Sequence, residues 1–345
     1  MDFSDPVILD PWVEGGTVRA SARSALPAPV GRIDRAELRA RVNAAMARGL
    51  PTSLHCINTA RAWAVIGGGP SINEHVETIR KLKRRGVAVV SVNKSHDWLL
   101  SHGIVPWGHV LLDPKDWVAG YVTRPRKDVR CFVASQCHAD VFEALKDYPV
   151  FLWHAGQDFP EDNASEPDAV LREHWPRATW QIVPGGTTVG LRVPMLGHHL
   201  SVGADRFHMI GFDSSRADGK LHGYEKPEAR DAARGVQKLW HKGQRYDFAT
   251  NSHMARQFVD FDKFMGELDS HYASGRLRRA FQMTFYGRGL LPFYSAMLGL
   301  HADAACNAEP GRVGGYLCRS MSGRSGFPAR WCTGAGGRRC RASTS

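Results

Sequence analysis

The segment 62–84 constrains the fold more than any other, because an apolar run there ends in three consecutive glycines and a helical pattern follows. The run covers residues 62–66, and apolar residues recur at helical spacing from Ile72 to Leu82. The turn between them consists of Gly67, Gly68, Gly69, Pro70 and Ser71. We therefore predict a strand, a tight turn and a helix. Glycines permit close approach of a ligand, and the N-terminus of the following helix suits a phosphate.

Two well-known phosphate-binding motifs do not fit this turn. A P-loop requires Gly-Lys-Ser or Gly-Lys-Thr, but the next lysine is Lys81. A dinucleotide fingerprint requires a small residue where Ile72 stands, and an acid about 20 residues further on, where the next strand ends in Asn93. ATP binding by a P-loop and NAD binding are therefore both disfavoured. A plain strand-to-helix turn that binds no ligand stays open as an alternative.

Strand-like and helix-like patterns alternate along the next 150 residues. We predict further strands at 87–92, 109–112, 130–134, 150–153 and 207–210. We predict helices at 33–50, 72–84, 98–102, 139–146 and 190–200. This alternation indicates an α/β fold with a Rossmann-like, doubly wound, mostly parallel sheet and flanking helices. Ligands of such sheets bind at the carboxyl ends of the strands.

Polar side chains stand just after almost every predicted strand, where a ligand would meet them. They are Asn93, Asp113, Gln136, His154 and Asp213. His222 lies in the loop after Asp213, and both His154 and His222 have the chemistry of an acid or base near neutrality. We therefore name His154, His222 and Asp213 as candidate catalytic residues.

A second glycine-rich turn follows the apolar residues 181–183 and opens another helix. Its residues are Pro184, Gly185, Gly186, Thr187 and Thr188. Two hydroxyls and flexible backbone N–H groups predict a site for an anion or a sugar hydroxyl. Helix capping by Thr187 is the alternative.

The composition changes along the chain and divides it into segments. We predict an extended arm at 1–32 and an N-terminal helix with a linker at 33–60. A nucleotide-binding domain follows at 61–225, then a C-terminal helical region at 226–304 and a low-complexity tail at 305–345. The tail is rich in Arg, Gly and Cys and has no hydrophobic period, so it cannot build a core. It predicts either a C-terminus that is not native to this fold or a basic segment that binds nucleic acid.

Composition narrows the classes of partner. Four of the seven cysteines lie in the last 40 residues at irregular spacing, which argues against a structural zinc site. The chain has no apolar run of about 18 residues, and its acidic N-terminus lacks the apolar region of a signal peptide. We therefore expect a cytoplasmic protein without a membrane span. Most of the net charge of +11 comes from the tail, and the mildly basic remainder suits an anionic small molecule more than nucleic acid.

The order of several motifs resembles the MptE-like domain family. They are 65–71 (VIGGGPS), 89–93 (VVSVN), 102–106 (HGIVP), 111–114 (LLDP), 184–188 (PGGTT) and 210–213 (IGFD). That family includes archaeal 6-hydroxymethylpterin diphosphokinases and motility-associated factors that glycosylate flagellin, and its fold is similar to that of bacterial sialyltransferases that use CMP-sugars. The resemblance covers about residues 60–225, and the whole chain looks like small stand-alone members from bacteria and phages.

The resemblance implies a nucleotide-phosphate site at Gly67–Ser71, with Asp113 facing it. One implied reaction is glycosyl transfer, in which this turn and Gly185–Thr188 hold a CMP-sugar and a histidine assists transfer to a small-molecule, glycan or protein acceptor. The other is ATP-dependent diphosphokinase activity on a pterin, in which Asp113 helps to hold Mg²⁺. The acids around Asp113, at 113 and 116, do not form a D-x-D metal motif, which favours the first. A non-catalytic nucleotide-binding phage accessory protein is a third possibility.

Overall fold

The computed structural model describes residues 33–157, 166–186, 188–200, 203–224, 235–241, 244–273 and 282–297. The predicted arm at 1–32 and the predicted tail at 305–345 lie outside these ranges. Within the described part of the chain, no helix combines the length and the apolar character that a membrane crossing requires.

The main sheet has eight strands, all parallel, in the order β10-β7-β1-β2-β3-β4-β5-β6. The strand bounds are β1 (Ala62–Ile66), β2 (Ala88–Val92), β3 (Gly108–Leu111), β4 (Arg130–Ala134), β5 (Val150–Ala155), β6 (Ile182–Val183), β7 (Arg206–Ile210), β8 (Gly235–His241), β9 (Gln244–Thr250) and β10 (Gln282–Tyr286). Strands β8 and β9 pair with each other in a separate antiparallel hairpin. The predicted α/β, Rossmann-like fold with a parallel sheet is confirmed.

Helices connect the strands of the sheet. Their bounds are α1 (Arg35–Ala47), α2 (Val76–Arg84), α3 (Ser95–Ser101), α4 (Ala139–Ala144), α5 (Glu166–His174), α6 (Val189–His199), α7 (Ser252–Ala273) and α8 (Leu290–Met297). Short 3-10 helices lie at Ser53–His55, Pro70–His75 and Asp116–Tyr121. The segment after the first glycine turn therefore begins as a 3-10 helix and becomes α-helical only at Val76.

The core has one layer on each face of the sheet. In β1, Trp63 and Val65 pack in a cluster with residues of α6 and α7, while Ala64 and Ile66 pack on the other face with residues of α2 and α3. All four side chains are fully buried. A strand that is covered on both faces reads as a continuous apolar run, which is why β1 stood out in the sequence.

The direction of winding reverses at β1. From β1 the chain proceeds strand by strand to β6 and then returns to place β7 on the other side of β1. Ile66 is in register with Ile210, so β1 and β7 end at the same level. In open α/β sheets, the crevice at such a reversal is where ligands bind.

The structure differs from the predicted elements in three places. Strand β5 continues to Ala155, so His154 lies inside the strand and does not follow it. Helix α5 lies between β5 and β6, in a stretch where no helix was predicted. The region predicted to be helical after residue 226 also contains the β8–β9 hairpin and β10. Long-range partners account for the last difference, because β10 gains its backbone hydrogen bonds only beside β7.

Candidate active site at the ends of β1 and β7

The turns that follow β1 and β7 are joined through their backbones. The N–H of Gly67 donates to the carbonyl oxygen of Ile210, and the N–H of Gly69 donates to that of Gly211, both at 2.8 Å. Gly211 has a φ of +74°, a conformation that a residue with a side chain rarely adopts. A Cβ on Gly67 would lie under 3.0 Å from the Gly211 carbonyl. The glycines are therefore needed for the close approach of these two turns.

Asp213 lies at the centre of this junction. Its Oδ2 accepts hydrogen bonds from both the N–H and the hydroxyl of Ser71, each at 3.0 Å. The residue is only 3% exposed. Burial raises its pKa from 3.8 to about 6, although the hydrogen bonds from Ser71 act in the opposite direction. Asp213 therefore holds the first glycine turn in place as a buried acceptor.

These contacts bear on the implied phosphate site at Gly67–Ser71, which stays a prediction. The N–H groups of Gly67, Gly69 and Ser71 already donate within the protein, and Pro70 has none. A carboxylate at this position also repels a phosphate when it is ionised. The geometry therefore favours phosphate donors outside this turn.

A third turn, after β10, packs on the same carboxylate. Gly287 has a φ of +113°, and a Cβ there would lie 3.0 Å from an oxygen of Asp213. A Cβ on Gly289 would overlap the backbone and Cβ of the same aspartate. The N–H of Leu291 at the start of α8 donates to the Asp213 carbonyl oxygen at 3.1 Å. Asp213 therefore ties the ends of three neighbouring strands together, which makes it a positioning residue.

The loop that follows Asp213 folds back over the first glycine turn. Gly223 donates to the carbonyl oxygen of Gly68 at 3.0 Å, and its own carbonyl accepts from Asn73 at 2.7 Å. The rings of His222 and Tyr224 stack with centroids 5.2 Å apart and planes 9° apart. A Cβ on Gly68 would meet both rings. The structure thus brings the predicted candidate His222 to the reversal point of the sheet.

Three predicted ligand-binding residues follow β2, β3 and β4. Asn93 adopts a left-handed backbone with a φ of 50°. Oδ1 of Asn93 and Oε1 of Gln136 are buried and have no hydrogen-bond partner among the described residues. Asp113 accepts from the N–H of Lys115 at 3.1 Å, and burial raises the pKa of its carboxyl above the ordinary value. These groups lie on the same edge as the glycine turns and retain acceptor capacity.

Helix α1 contributes to that edge through Arg41. Its guanidinium donates to the carbonyl oxygen of Gln136 at 3.1 Å and also to that of Pro114. One side chain from the N-terminal helix therefore fixes the turns after β3 and β4, next to Asp113. This contact is not predictable from the sequence, because an arginine on an amphipathic helix is usually solvated.

His154 is placed apart from the other catalytic candidates. It is 1% exposed, its Nδ1 lies 3.0 Å from the hydroxyl of Ser135, and burial lowers its pKa to about 4. Four inter-strand steps separate β5 from β1, or about 19 Å. His154 therefore lies away from the reversal point, and the geometry favours His222 as the acid or base there.

The second glycine turn encloses an arginine. The guanidinium of Arg192 on α6 donates to the carbonyl oxygens of Gly186, Val183 and Gly156, at 2.7 to 2.8 Å. Gly185 has a φ of +132°, and a Cβ there would lie 3.0 Å from the Arg192 side chain. The turn therefore directs backbone carbonyls toward this cation. An arginine in the otherwise apolar helix 189–197 was the signal that sequence reasoning missed.

Helix α7 connects the second glycine turn to the loop after β7. Gln257 lies between them: its Nε2 is 3.5 Å from the Thr188 hydroxyl, and its Oε1 accepts from the Ser214 hydroxyl at 2.7 Å. Thr187, the other predicted hydroxyl of the turn, lies outside the described residues. The predicted sugar-hydroxyl site at Gly185–Thr188 thus has one described hydroxyl, and it is linked to the loop after β7.

Asp113 is the residue that fits the predicted Mg²⁺. No group of three or more His, Cys, Asp or Glu side chains suited to a metal occurs in the described ranges. Mg²⁺ on a nucleotide usually takes only one or two protein carboxylates, because phosphates and waters complete its shell. One carboxylate at the end of β3 meets that requirement.

Comparison with known sequences supports the resemblance. The family described as "6-hydroxymethylpterin diphosphokinase MptE-like" matches residues 45–219, just over half of the chain. The chain belongs to the MptE-like family. The matched residues contain β1 to β7, both glycine turns and the Asp213 junction. The MptE-like domain therefore supplies the turns after β1 and β7, while His222, Tyr224 and the turn after β10 lie beyond the matched residues.

Other comparisons give less. A solved structure of the MAf glycosyltransferase from Magnetospirillum magneticum AMB-1 aligns with a TM-score of 0.48 at 12% identity and covers 75% of this chain. This chain spans about 37% of the length of that protein. No curated protein shows a significant match.

Proposed function

We propose that this MptE-like protein is a nucleotide-dependent transferase that moves a glycosyl group from a CMP-sugar-type donor to a hydroxyl of a small-molecule, glycan or protein acceptor. The observation that carries the proposal is the placement of His222 over the first glycine turn, where the strand order reverses. Membership of the MptE-like family supports a transferase-type reaction. The acids around Asp113 do not form a D-x-D motif, and in the one at 260–262 Asp262 accepts from Tyr294 and Asp260 pairs with Arg256, which favours a donor that needs no metal.

His222 has a defined role in this reaction. The acceptor hydroxyl attacks the anomeric carbon, a new C–O bond forms, and the bond from that carbon to the CMP phosphate oxygen breaks. His222 takes the proton of the attacking hydroxyl, or a protonated His222 gives one to the leaving phosphate. Asp213 holds the turn beneath it, and Tyr224 holds its ring by stacking.

An ATP-dependent 6-hydroxymethylpterin diphosphokinase is the second candidate, because that activity stands in the description of the matched family. The hydroxymethyl oxygen of the pterin attacks the β-phosphorus of ATP, and AMP leaves. Asp113 would hold Mg²⁺, which neutralises phosphate charge. This activity requires both ATP and Mg²⁺, whereas the glycosyl transfer requires neither.

A binding and turnover panel distinguishes the candidates. Calorimetry with CMP, CDP, ATP, ADP, GTP and UDP, with and without Mg²⁺, identifies the donor. Release of CMP from CMP-N-acetylneuraminate, and of AMP from ATP with 6-hydroxymethylpterin, reports turnover. We expect CMP or CDP binding without metal and CMP release that falls at least 100-fold in His222→Asn. The exposed His174, on α5, provides the control substitution His174→Asn, which should keep full activity.

Other outcomes have definite meanings. ATP binding that requires Mg²⁺ and is lost in Asp113→Ala would favour the diphosphokinase. Nucleotide binding without any turnover would indicate a binding module. No binding of any nucleotide would refute the transferase proposal.

A further inference from the structure

A cleft of about 350 Å³ lies beside the first glycine turn, between α3 and the segment 120–124. Tyr224 forms its side toward β7, and Trp98 and Tyr121 form other parts of its wall. Because Tyr224 also covers Gly68, the cleft adjoins the junction of the β1 and β7 turns. Lys94 in its wall directly follows Asn93, the first residue after β2. The buried side-chain oxygen of Asn93 has no partner in the described part of the chain.

The aromatic wall is held in position by polar contacts. The indole N–H of Trp98 donates to Asn73 at 3.0 Å, and Asn73 in turn donates to Gly223 in the loop that carries Tyr224. The Tyr224 ring is stacked on His222. Aromatic faces fixed in this way can stack a nucleobase, which is a flat ring of matching size.

Two cations stand at the rim of the cleft. The ammonium of Lys94 lies 5.2 Å from the centroid of the Tyr121 ring. Arg124 donates one N–H to the carbonyl oxygen of Asp97 at 2.7 Å, which orients its guanidinium. Both side chains line the cleft. A guanidinium and an ammonium on one concave wall are the groups that recognise phosphate.

Asp97, the acid in the wall of the cleft, does not fully neutralise the charge of these cations. Oδ2 of Asp97 accepts from the N–H of Thr123 at 2.9 Å and from its hydroxyl, and Oδ1 lies 2.9 Å from Nδ1 of His96. Its carboxylate oxygens are therefore engaged within the protein. The two charges at the rim face solvent, and an anionic ligand can reach them.

We propose that this cleft is the nucleotide-binding site, with the base against Tyr121 and Tyr224 and the phosphate on Lys94 and Arg124. The inference rests on the proposed nucleotide-dependent function and moves the phosphate away from the glycine turn, where Asp213 already accepts from Ser71. Tyr224 lines the cleft and stacks on His222, so a nucleotide in the cleft lies next to the candidate acid or base. The ligand class is a nucleoside mono- or diphosphate.

Calorimetry with CMP, CDP and ATP on single variants tests the site. Lys94→Gln and Arg124→Gln should each weaken binding of the nucleotide that the wild type prefers by about tenfold, since each loses a charged contact. Lys127→Gln removes an exposed cation that follows the segment 120–124 and does not line the cleft, so it should bind the nucleotide as the wild type does. Tyr121→Leu should weaken nucleotide binding, whereas Tyr121→Phe, which keeps the ring, should bind as the wild type does.

The outcomes separate this inference from the proposed function. Wild-type affinity in both Lys94→Gln and Arg124→Gln would refute the assignment of the cleft as the nucleotide-binding site and would leave the transferase proposal standing. An equal loss in Lys127→Gln would show a general charge effect and would also overturn it. If the wild type binds none of the three nucleotides, both proposals fall together.

Discussion

Asp213 and the glycines around it show how single residues decide the geometry of this site. The carboxylate accepts from Ser71, while Gly69, Gly287 and Gly289 leave no room for a Cβ beside it. Burial of the acid raises its pKa to about 6, so the folded chain holds this proton more tightly than the unfolded chain. The residue was predicted to be catalytic from its place after a strand, but its contacts are those of a residue that positions the turns.

The pKa of Asp213 predicts a pH-dependent effect of its replacement. Because the folded chain holds this proton more tightly than the unfolded chain, the group costs stability as pH rises from about 4 to 6. Asp213→Asn keeps an acceptor oxygen and carries no charge. We expect its free energy of unfolding to match the wild type near pH 3.5 and to exceed it by about 3 kcal/mol at pH 8.

Urea denaturation of Asp213→Asn and Asp213→Ala at both pH values provides the measurement. The alanine leaves the N–H and hydroxyl of Ser71 without their buried acceptor, and should lose about 2 to 3 kcal/mol. Equal losses in the two variants at pH 8 would contradict the raised pKa.

The crowding at Gly69 predicts a large difference between two glycine substitutions. A Cβ at Gly69 would lie under 3.0 Å from the buried Asp213 carboxylate, whereas a Cβ at Gly120 would meet nothing within 4 Å. We expect Gly69→Ala to lower the free energy of unfolding by more than about 2 kcal/mol. Gly120→Ala should stay within about 0.5 kcal/mol of the wild type. Thermal unfolding of both variants checks this, and a mild effect at Gly69 would show that the junction can relax.

At the scale of elements, α1 is fastened to the sheet by its arginines as well as by its apolar stripe. Leu38 and Val42 pack with Val170 and Leu171 of α5. Glu166 at the start of α5 is 3% exposed and pairs with arginines of α1. The N-terminal helix therefore belongs to the same packed unit as the strand ends that it contacts through Arg41.

The ion pair of Arg39 with Glu166 predicts a measurable cost for its removal. Arg39 donates to the buried carboxylate at 2.7 Å, so Arg39→Ala leaves that charge with one cation fewer. We expect a loss of about 1 to 2 kcal/mol in the free energy of unfolding. Arg172→Ala breaks a pair with Asp168 in which the arginine is 72% exposed, and should cost less than about 0.5 kcal/mol. Equal losses in chemical denaturation would show that burial of Glu166 has no consequence.

For the whole molecule, the strand order places every turn of the candidate site on one edge. The reversal at β1 brings Gly67–Ser71 beside Gly211–Ser215, and β10 adds a third turn on the far side of β7. Three histidines in the sheet and on α6 are shielded from water, of which His154 is buried and His199 and His208 are half-buried. Burial lowers the pKa of His154, His199 and His208 to about 4 in each case. Their neutral forms are therefore part of the folded state.

The buried histidines predict loss of stability in mild acid. Between about pH 6.5 and 4 the unfolded chain binds protons that the folded chain does not, so the free energy of unfolding falls as pH falls through this window. His154→Gln removes one such site. We expect the slope of stability against pH to decrease by about 1.4 kcal/mol per pH unit. Chemical denaturation from pH 4.5 to 7.5 measures the slope, and an unchanged slope in His154→Gln would refute the assignment.

Local patterns in the sequence determined most of the α/β domain. Strand β1 was predicted with its observed bounds, because a strand buried on both faces is a continuous apolar run that needs no knowledge of its neighbours. The same holds for β4. The glycines at 67–69 indicated a tight turn, since only glycine leaves room for another backbone segment to pack against the turn.

Tertiary structure decided what those turns do. Ser71 and Asp213 are 142 residues apart, and nothing in the spacing of either shows that one bonds the other. Strand β10 forms only because it pairs with the free edge of β7. The cleft with Lys94 and Arg124 at its rim forms only because the loop after β7 returns to α3. The sequence thus determines segments through local periodicity and backbone freedom. The site depends on contacts between distant segments, whose pairing is fixed by the packing of the whole sheet.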